Sequence, residues 1–515
     1  MFNSRLTARF ANDPRGSRSP SSVARAAHGL FAFALLLLQG CGPDATESSS
    51  AARPNIVILL ADDLGWTDVT LHGGNIATPN IDRIAAEGAE LARYYVAPVC
   101  SPTRAGLLTG RYPIRYGSMR AVYPPWRGGG MDVSELTIAD VLAEAGYKHR
   151  GVFGKWHLGH SDKKYHPLRR GFTEFYGHYN GAVDYFTHER EGEVDWHDGF
   201  EPSGDQGYAT DLIADRAAKF IRTHAGDAEP FLCYVPFLAP HSPYQAKEQH
   251  LPLYEGLPPA RGFFQGVRGV EPSSTSEARH RNRKILGAMV HSLDESVGKI
   301  LDAIDQTGIA SDTFVLFSSD NGGVGGIGEN TPLRGAKASV FEGGIRVAAA
   351  ARWPGQIPLG QKIEAPLANI DILPTVMRIA GVESFGGKPL DGLDILDVLT
   401  GRQESLEREL YNYIGQTGPQ SEQISYMTND WKLVVVGPVV TDETADDSLR
   451  KRFLFKISED MAEEHNVLDE NRALADSMYE KVKEFRALQP EDAVVPYNEG
   501  REGFQAPPRW ELPGE

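Results

Sequence analysis

Asn55-Ile-Val-Ile-Leu-Leu-Ala-Asp-Asp63 is the stretch on which the fold turns. The unbroken apolar run from Ile56 to Ala61 leaves no face for water, which marks a strand covered on both sides. Two further runs behave alike. Phe231-Leu-Cys-Tyr-Val-Pro-Phe237 is followed by Pro240-His241, and Phe314-Val-Leu-Phe317 by Asp320-Asn321-Gly322-Gly323. Helical patterns separate them. Thr78-Pro79 opens a helix through Ile81, Ile84 and Ala85 that Gly88 closes, and the stripe Met289, Leu293, Val297, Ile300 predicts a helix over 285–304. Buried strands alternating with helices predict an α/β fold with a mostly parallel sheet. Ligands of such sheets bind beyond the carboxyl ends of the strands, so the polar groups after the three runs are expected to converge.

The pattern changes near Arg402. Leu410-Tyr-Asn-Tyr-Ile414, Trp431-Lys-Leu-Val-Val-Val436 and Phe453-Leu-Phe-Lys-Ile457 read as successive strands, followed by a helix carrying Leu474, Met478, Val482 and Phe485. This predicts a smaller C-terminal α+β domain, an antiparallel sheet plus helix, over 402–515, with an irregular tail from about Gln489. Residues 53–401 form the expected larger domain.

Ahead of both, arginines at 5, 9, 15, 18 and 25 precede the apolar run from Leu30 to Leu38. That is a secretory leader, too short to span a bilayer comfortably. Leu38-Gln-Gly-Cys41 resembles a bacterial lipobox, which makes residues 1–41 a signal peptide, Cys41 a lipid anchor and 42–52 a tether. The expected location is the bacterial periplasm or cell surface, with the membrane as partner through Cys41. An ordinary signal peptide with an incidental cysteine is the plainer alternative. Net charge is −17 over 515 residues, which disfavours nucleic acid as a partner.

Of the 3 cysteines, Cys233 lies in an apolar run and reads as core, leaving Cys100 alone. Asp62, Asp63, Asp320 and Asn321 offer oxygen donors suited to Ca2+ or Mg2+, although either pair alone would usually be a cap or turn. Lys155 and His157 stand two apart in an extended-looking segment and would share a face. Leu333-Arg-Gly-Ala-Lys337 and Glu342-Gly-Gly-Ile-Arg346 add cations in glycine-containing loops. Pro102 and Thr103-Arg104 turn the chain into a helix just after Cys100, where free N–H groups suit an anion or a thiolate. A thiolate explains only part of this set, since it needs no carboxylate metal site.

Cys100-Ser-Pro-Thr-Arg104, extended by Leu108-Thr-Gly-Arg111, resembles the signature of type I sulfatases, in which C-x-P-x-R directs oxidation of the cysteine to formylglycine. Residues 55–66, Gly154-Lys-Trp-His-Leu-Gly159, Ser319-Asp-Asn-Gly322 and Pro332-Leu-Arg-Gly-Ala-Lys337 are similar to the family's other blocks, in its order. Asp184-Tyr-Phe-Thr-His-Glu-Arg190 and 332–344 are similar to the arylsulfatase B, or N-acetylgalactosamine-4-sulfatase, branch. The resemblance spans about residues 53–470. Two departures matter: Thr103 stands where serine or alanine is commoner, a conservative change that should leave the modification intact, and the cysteines are too few for the disulfides of the animal branch, so the core chemistry transfers better than the substrate.

The resemblance implies an alkaline-phosphatase-like fold and a sulfuric ester hydrolase acting on a sulfated saccharide or aryl sulfate. Asp62, Asp63, Asp320 and Asn321 would bind one Ca2+ together with the oxygen of residue 100 after Cys100 becomes formylglycine. Arg104 and Lys155 would hold the hydrated aldehyde and His157 would act on it as a base. His241 and Lys337 would grip sulfate and protonate the leaving alcohol. A formylglycine-generating enzyme is the implied maturation partner. Loops 122–131 and 192–208 would decide the sugar and the sulfate position, and Tyr185, His188 and Arg190 are candidate substrate contacts or, equally, packing and surface residues. A phosphodiesterase or phosphonate monoester hydrolase, and a sugar-binding lipoprotein with a dead site, are the competing readings.

Overall fold

The computed structural model describes residues 53–261 and 276–514; the leader, Cys41 and the tether lie outside the described residues. Asn55–Ala61 is a strand whose residues are buried from Ile56 onward. It pairs in parallel with Phe231–Pro236 on one side and Thr313–Ser319 on the other. His149–Lys155 and then Glu174–His178 continue the parallel pairing beyond Phe231–Pro236. These strands form the middle of a ten-stranded sheet with mixed edges, in which Ala349–Arg352 runs antiparallel beside Thr313–Ser319.

Alternation along the central strand feeds two cores. Val57, Leu59 and Ala61 pack into the layer of the Ala209–His224 and Ser276–Gln306 helices. Ile56, Ile58 and Leu60 face the Cys100–Thr109, Ile138–Glu144 and Ile372–Ile379 helices. Each fully buried branched side chain contributes roughly 1.5–3 kcal/mol, and together they hold the strand, and hence the aspartates at its end, in register. Cys233 is fully buried in the sheet, as expected of a core residue. The long helix begins well ahead of the expected 285, and its Arg283 forms a buried ion pair with Asp68 in the loop after the first strand.

Leu410–Ile414, Glu422–Met427, Lys432–Gly437 and Lys451–Phe455 form an antiparallel meander, and the Arg472–Arg486 helix packs on it through Met478, Val482 and Phe485. The Glu422–Met427 strand is one the sequence does not announce. Its polar start hides a buried carboxylate, since Glu422 is paired with Arg486 and Tyr413. Beyond the last helix the tail is irregular apart from a short turn, Pro508–Trp510. Among the described residues no helix is long and apolar enough to cross a membrane.

One glycine shows how closely the strands must approach to deliver the site. Gly154, just before Lys155, has φ +128°, and a Cβ there would meet the Pro236 carbonyl oxygen at 2.1 Å. Gly154→Ala should therefore lower stability by at least about 2 kcal/mol. The measurement is the urea midpoint at constant slope; an unchanged midpoint would mean that the strands part without cost.

Candidate active site

The parallel pairing brings the strand ends to one edge, and polar residues follow there. Ala61 is level with Ser319 and Leu60 with Pro236. The ladder continues past the strands, with the Asp62 N–H donating to the Ala239 carbonyl at 3.0 Å and the Asp320 N–H to Ala61 at 2.9 Å. Asp62, Asp63, Asp320, Asn321, Lys155 and His241 thus arrive from neighbouring strands of one sheet. The Cys100–Thr109 helix enters from the side, and Cys100 is its first residue rather than the residue before it.

Each carboxylate has a cation. Lys155 Nζ lies 2.5 Å from Asp62 Oδ2. Arg104 donates to Asp320 Oδ2 from Nε at 3.1 Å and Nη2 at 2.8 Å, and from Nη1 to the Lys155 carbonyl at 2.8 Å. Lys337 Nζ is 2.8 Å from Asp63 Oδ2. Cys100 Sγ donates to Asp62 Oδ1 at 3.4 Å. The floor is closed to solvent, with Arg104, Lys155, Asp62 and Asp320 fully buried, whereas Lys337 and His241 keep 20% and 16% of their side chains exposed. Cations therefore stand both at the base and at the rim.

Burial favours neutral carboxyls, but Lys337 and His241 outweigh it and hold Asp63 well below the usual carboxylate range. For Asp320, burial and the neighbouring Asp62 win over Arg104 and its pKa rises. Burial together with Asp320 and Asp62 pushes the Cys100 thiol well up. Burial and Lys337 push His241 down to about 3. Burial, Lys155 and Arg104 take His157 well below its ordinary value, so both imidazoles are neutral.

His157 reaches the site by a route other than strand alternation. The strand ends at Lys155, and His157 has φ +57°, a left-handed backbone that turns it out of line. Its ring sits over Gly181, where a Cβ would come within 2.6 Å of it. Nε2 faces the Tyr123 carbonyl at 3.1 Å, Nδ1 is buried without a hydrogen-bond partner, and the His157 carbonyl accepts from Ser101 next to Cys100 at 2.9 Å. Asp63, at φ +66°, and Ala338, beside Lys337 and also at φ +66°, share that left-handed geometry. Strained backbone gathers where side chains must be aimed.

The donor set fits a hard divalent cation. Asp62, Asp63, Cys100 and His241 bring ligand atoms within 4.8 Å of one another. Asn321 donates from Nδ2 to Asp63 Oδ1 at 2.7 Å and leaves its buried Oδ1 unpartnered. Carboxylate and amide oxygens around an unsatisfied buried acceptor are the ligands Ca2+ takes. Here Asp320 turns Oδ2 to Arg104 while its Oδ1 accepts the Asp63 N–H at 3.3 Å. His241, expected to face sulfate, also stands among the metal-facing atoms, with Nε2 3.6 Å from Asp63.

Several supports were not legible in advance. Buried Asp195 accepts from the backbone N–H groups of Tyr179 and Asn180, each at 2.9 Å, and the Tyr179 carbonyl takes the His157 N–H at 3.0 Å. Ser319 Oγ accepts the Leu64 N–H at 3.1 Å and donates to the Asn321 carbonyl at 2.8 Å. Isolated Asp and Ser residues carry no pattern that would reveal this. Of the candidate substrate contacts, Tyr185 is fully buried and donates to the His241 carbonyl at 2.8 Å, which makes it a prop for that turn. His188 is buried and stacked on Trp196 at 4.4 Å, and Arg190 is only partly exposed.

The family model described as Sulfatase matches residues 54–382. N-acetylgalactosamine-6-sulfatase of Mus musculus is 32% identical over 470 residues, covering 83% of this chain and 84% of its own. Arylsulfatase G of Homo sapiens is 31% identical over 464 residues, covering 80% and 82%. The solved structure of Ps i-CgsB in complex with k-i-k-neocarrahexaose superposes with a TM-score of 0.74 at 27% identity, over 87% of this chain and 96% of that one. These names span more than one branch, and the arylsulfatase B branch is not singled out among them.

Arg104 gives the site its sharpest stability test. Arg104→Met removes the partner of a buried carboxylate and should destabilise the metal-free protein by about 3–5 kcal/mol. Denaturant unfolding in chelator reads this directly, and a loss below about 1 kcal/mol would show that Asp320 is neutralised some other way.

Proposed function

Since the chain belongs to the sulfatase family, we propose that this sulfuric ester hydrolase removes sulfate from a sulfated carbohydrate, using formylglycine made from Cys100 beside a bound Ca2+. The observation that carries the reading is Cys100 at a helix start, 3.4 Å from Asp62, inside a ring of carboxylates each matched by a cation. Arg104, Lys155 and Lys337 balance Asp62, Asp63 and Asp320, so a divalent ion adds net positive charge that an anionic sulfate ester neutralises. This supports local capture of an anion by an acidic protein.

Asp62, Asp63, Asp320, Asn321 and the residue-100 oxygen would hold Ca2+, which would supply positive charge for the sulfuryl oxygens. The hydrated aldehyde supplies two hydroxyls on one carbon, one as nucleophile and one for turnover. The remaining work falls to side chains. Arg104 and Lys155, rigid and dry, stabilise negative charge at residue 100. His157, neutral and with a free Nδ1, accepts a proton there. Lys337 at the rim grips sulfate and gives a proton to the departing alcohol. His241 donates Nδ1–H to the Ser242 carbonyl at 2.6 Å, so its Nε2 needs a second proton, drawn in by the bound anion, before it can share the sulfate with Lys337.

A carbohydrate is supported by the names of the relatives, N-acetylgalactosamine-6-sulfatase among them, and by the neocarrahexaose of the Ps i-CgsB complex. Residues 1–41 export the enzyme, Cys41 anchors it at the periplasmic or outer face of a bacterial membrane, and 42–52 tether the parts at 53–401 and 402–515.

The deciding experiment co-expresses the protein with a formylglycine-generating enzyme. It compares an aryl sulfate, an aryl phosphonate monoester and an aryl phosphodiester, with Cys100→Ala alongside. Sulfate hydrolysis should dominate, fall at least about a thousandfold in Cys100→Ala, and drop on chelation of Ca2+. Preference for a phosphorus ester would overturn the substrate class, and full activity in Cys100→Ala would overturn the nucleophile.

A further inference from the structure

Away from the acidic site, two histidines and a glutamate meet where the Glu248–Tyr254 turn packs on the Ser276–Gln306 helix. His291 and Glu295 lie one turn apart on that helix, and His250 comes from the facing turn. His250 Nε2 is 3.5 Å from Glu295 Oε2 and His291 Nε2 is 3.5 Å from Glu295 Oε1, with the ligand atoms of all three residues within 4.8 Å of one another. Both outer ring nitrogens are already engaged. His250 Nδ1 lies 3.0 Å from Ser292 Oγ and His291 Nδ1 3.1 Å from the Tyr254 hydroxyl.

The hydroxyl of Ser292 donates to the Ala288 carbonyl at 3.1 Å, so Ser292 Oγ accepts and His250 carries its proton on Nδ1. Neutral His250 then points the lone pair of Nε2 at a carboxylate oxygen. Two acceptors face each other, and the donor within reach of Nε2 is the Gln249 amide nitrogen at 3.4 Å. A cation between the rings and the carboxylate resolves the conflict.

We propose that His250, His291 and Glu295 form a binding site for a borderline divalent transition metal, Zn2+ foremost, separate from the oxygen-rich site. Two imidazoles and one carboxylate are ligands for such an ion and not for Ca2+. Ser292 and Tyr254 supply the outer hydrogen bonds that orient metal-bound imidazoles. Metal–ligand distances of about 2.0–2.2 Å require the exposed Glu295 carboxylate to turn toward the two rings. Lys247 is the competing charge, 3.2 Å from Glu295 Oε2, but it also holds both oxygens of Asp211 at 3.0 and 3.1 Å and stays there when Glu295 turns to the ion. The ion clips the segment that follows His241 to the long helix, a structural role with water at the fourth position.

The test uses the full chain, stripped of metal and then kept in excess Ca2+ so that the oxygen-rich site is filled. Zn2+ alone is titrated by calorimetry, and Co2+ by the visible bands of four-coordinate cobalt. One equivalent is expected, weakened at least tenfold in His291→Ala and in Glu295→Gln, two partly exposed positions whose folding is checked by circular dichroism. Absence of stoichiometric Zn2+ binding overturns the proposal. So does unchanged binding in both folded variants, which would move the ion elsewhere, for instance to the His149, Glu174 and His224 cluster. Sulfate release is not the readout, so this result is independent of the proposed chemistry.

Discussion

Three carboxylates are buried side by side, and everything near them is arranged to make that tolerable. An unpaired buried carboxylate costs several kcal/mol, so Asp62, Asp63 and Asp320 each require a cation within hydrogen-bond reach. The cations come from three different kinds of element: Lys155 from the end of a strand, Arg104 from the first turns of a helix, Lys337 from a loop. The parallel ladder places the acids, and the two cores on either side of it hold the helix and strands that carry the bases. Electrostatic balance thus couples parts of the chain more than two hundred residues apart, as the Arg104–Asp320 pair shows.

The C-terminal meander belongs to the same arrangement. The loop that presents Lys337 runs on to Glu342, whose buried carboxylate is 2.8 Å from Lys432 Nζ, and Lys432 also meets Glu463 at 2.9 Å. Arg334 lies over the Phe341 ring at 4.2 Å and the Phe453 ring at 5.2 Å, and Gln423 donates to the Ala338 carbonyl at 3.2 Å. The small sheet therefore backs one wall of the site, and its strands fix where the rim lysine stands.

Much of this was legible in the sequence because it rests on runs and repeats. The apolar stretch before Asp62, the Pro79 helix start and the stripe around Met289 all announce elements that exist. The convergence of the acids and His241 follows from the rule about strand ends. What escaped reading depends on single contacts between distant residues. Glu422 looks like surface until Arg486 is placed against it, Asp195 has no pattern that marks it as the support beneath His157, and His157 itself leaves the strand through one left-handed residue. Tyr185 and His188 sat in a block of family resemblance that suggested substrate, yet both are packed inside.

The seat of Cys100 carries a consequence in time. Cys100 is 1% exposed, the first residue of its helix and set against the Asp62 carboxylate. If formylglycine is made here as proposed, the protein that oxidises this sulfur cannot approach it once the sheet has closed. That proposed oxidation would therefore come before folding, while residues 99–111 are still an accessible peptide. On that reading a chain that folds first would keep its thiol, as a well-packed molecule closed to later maturation.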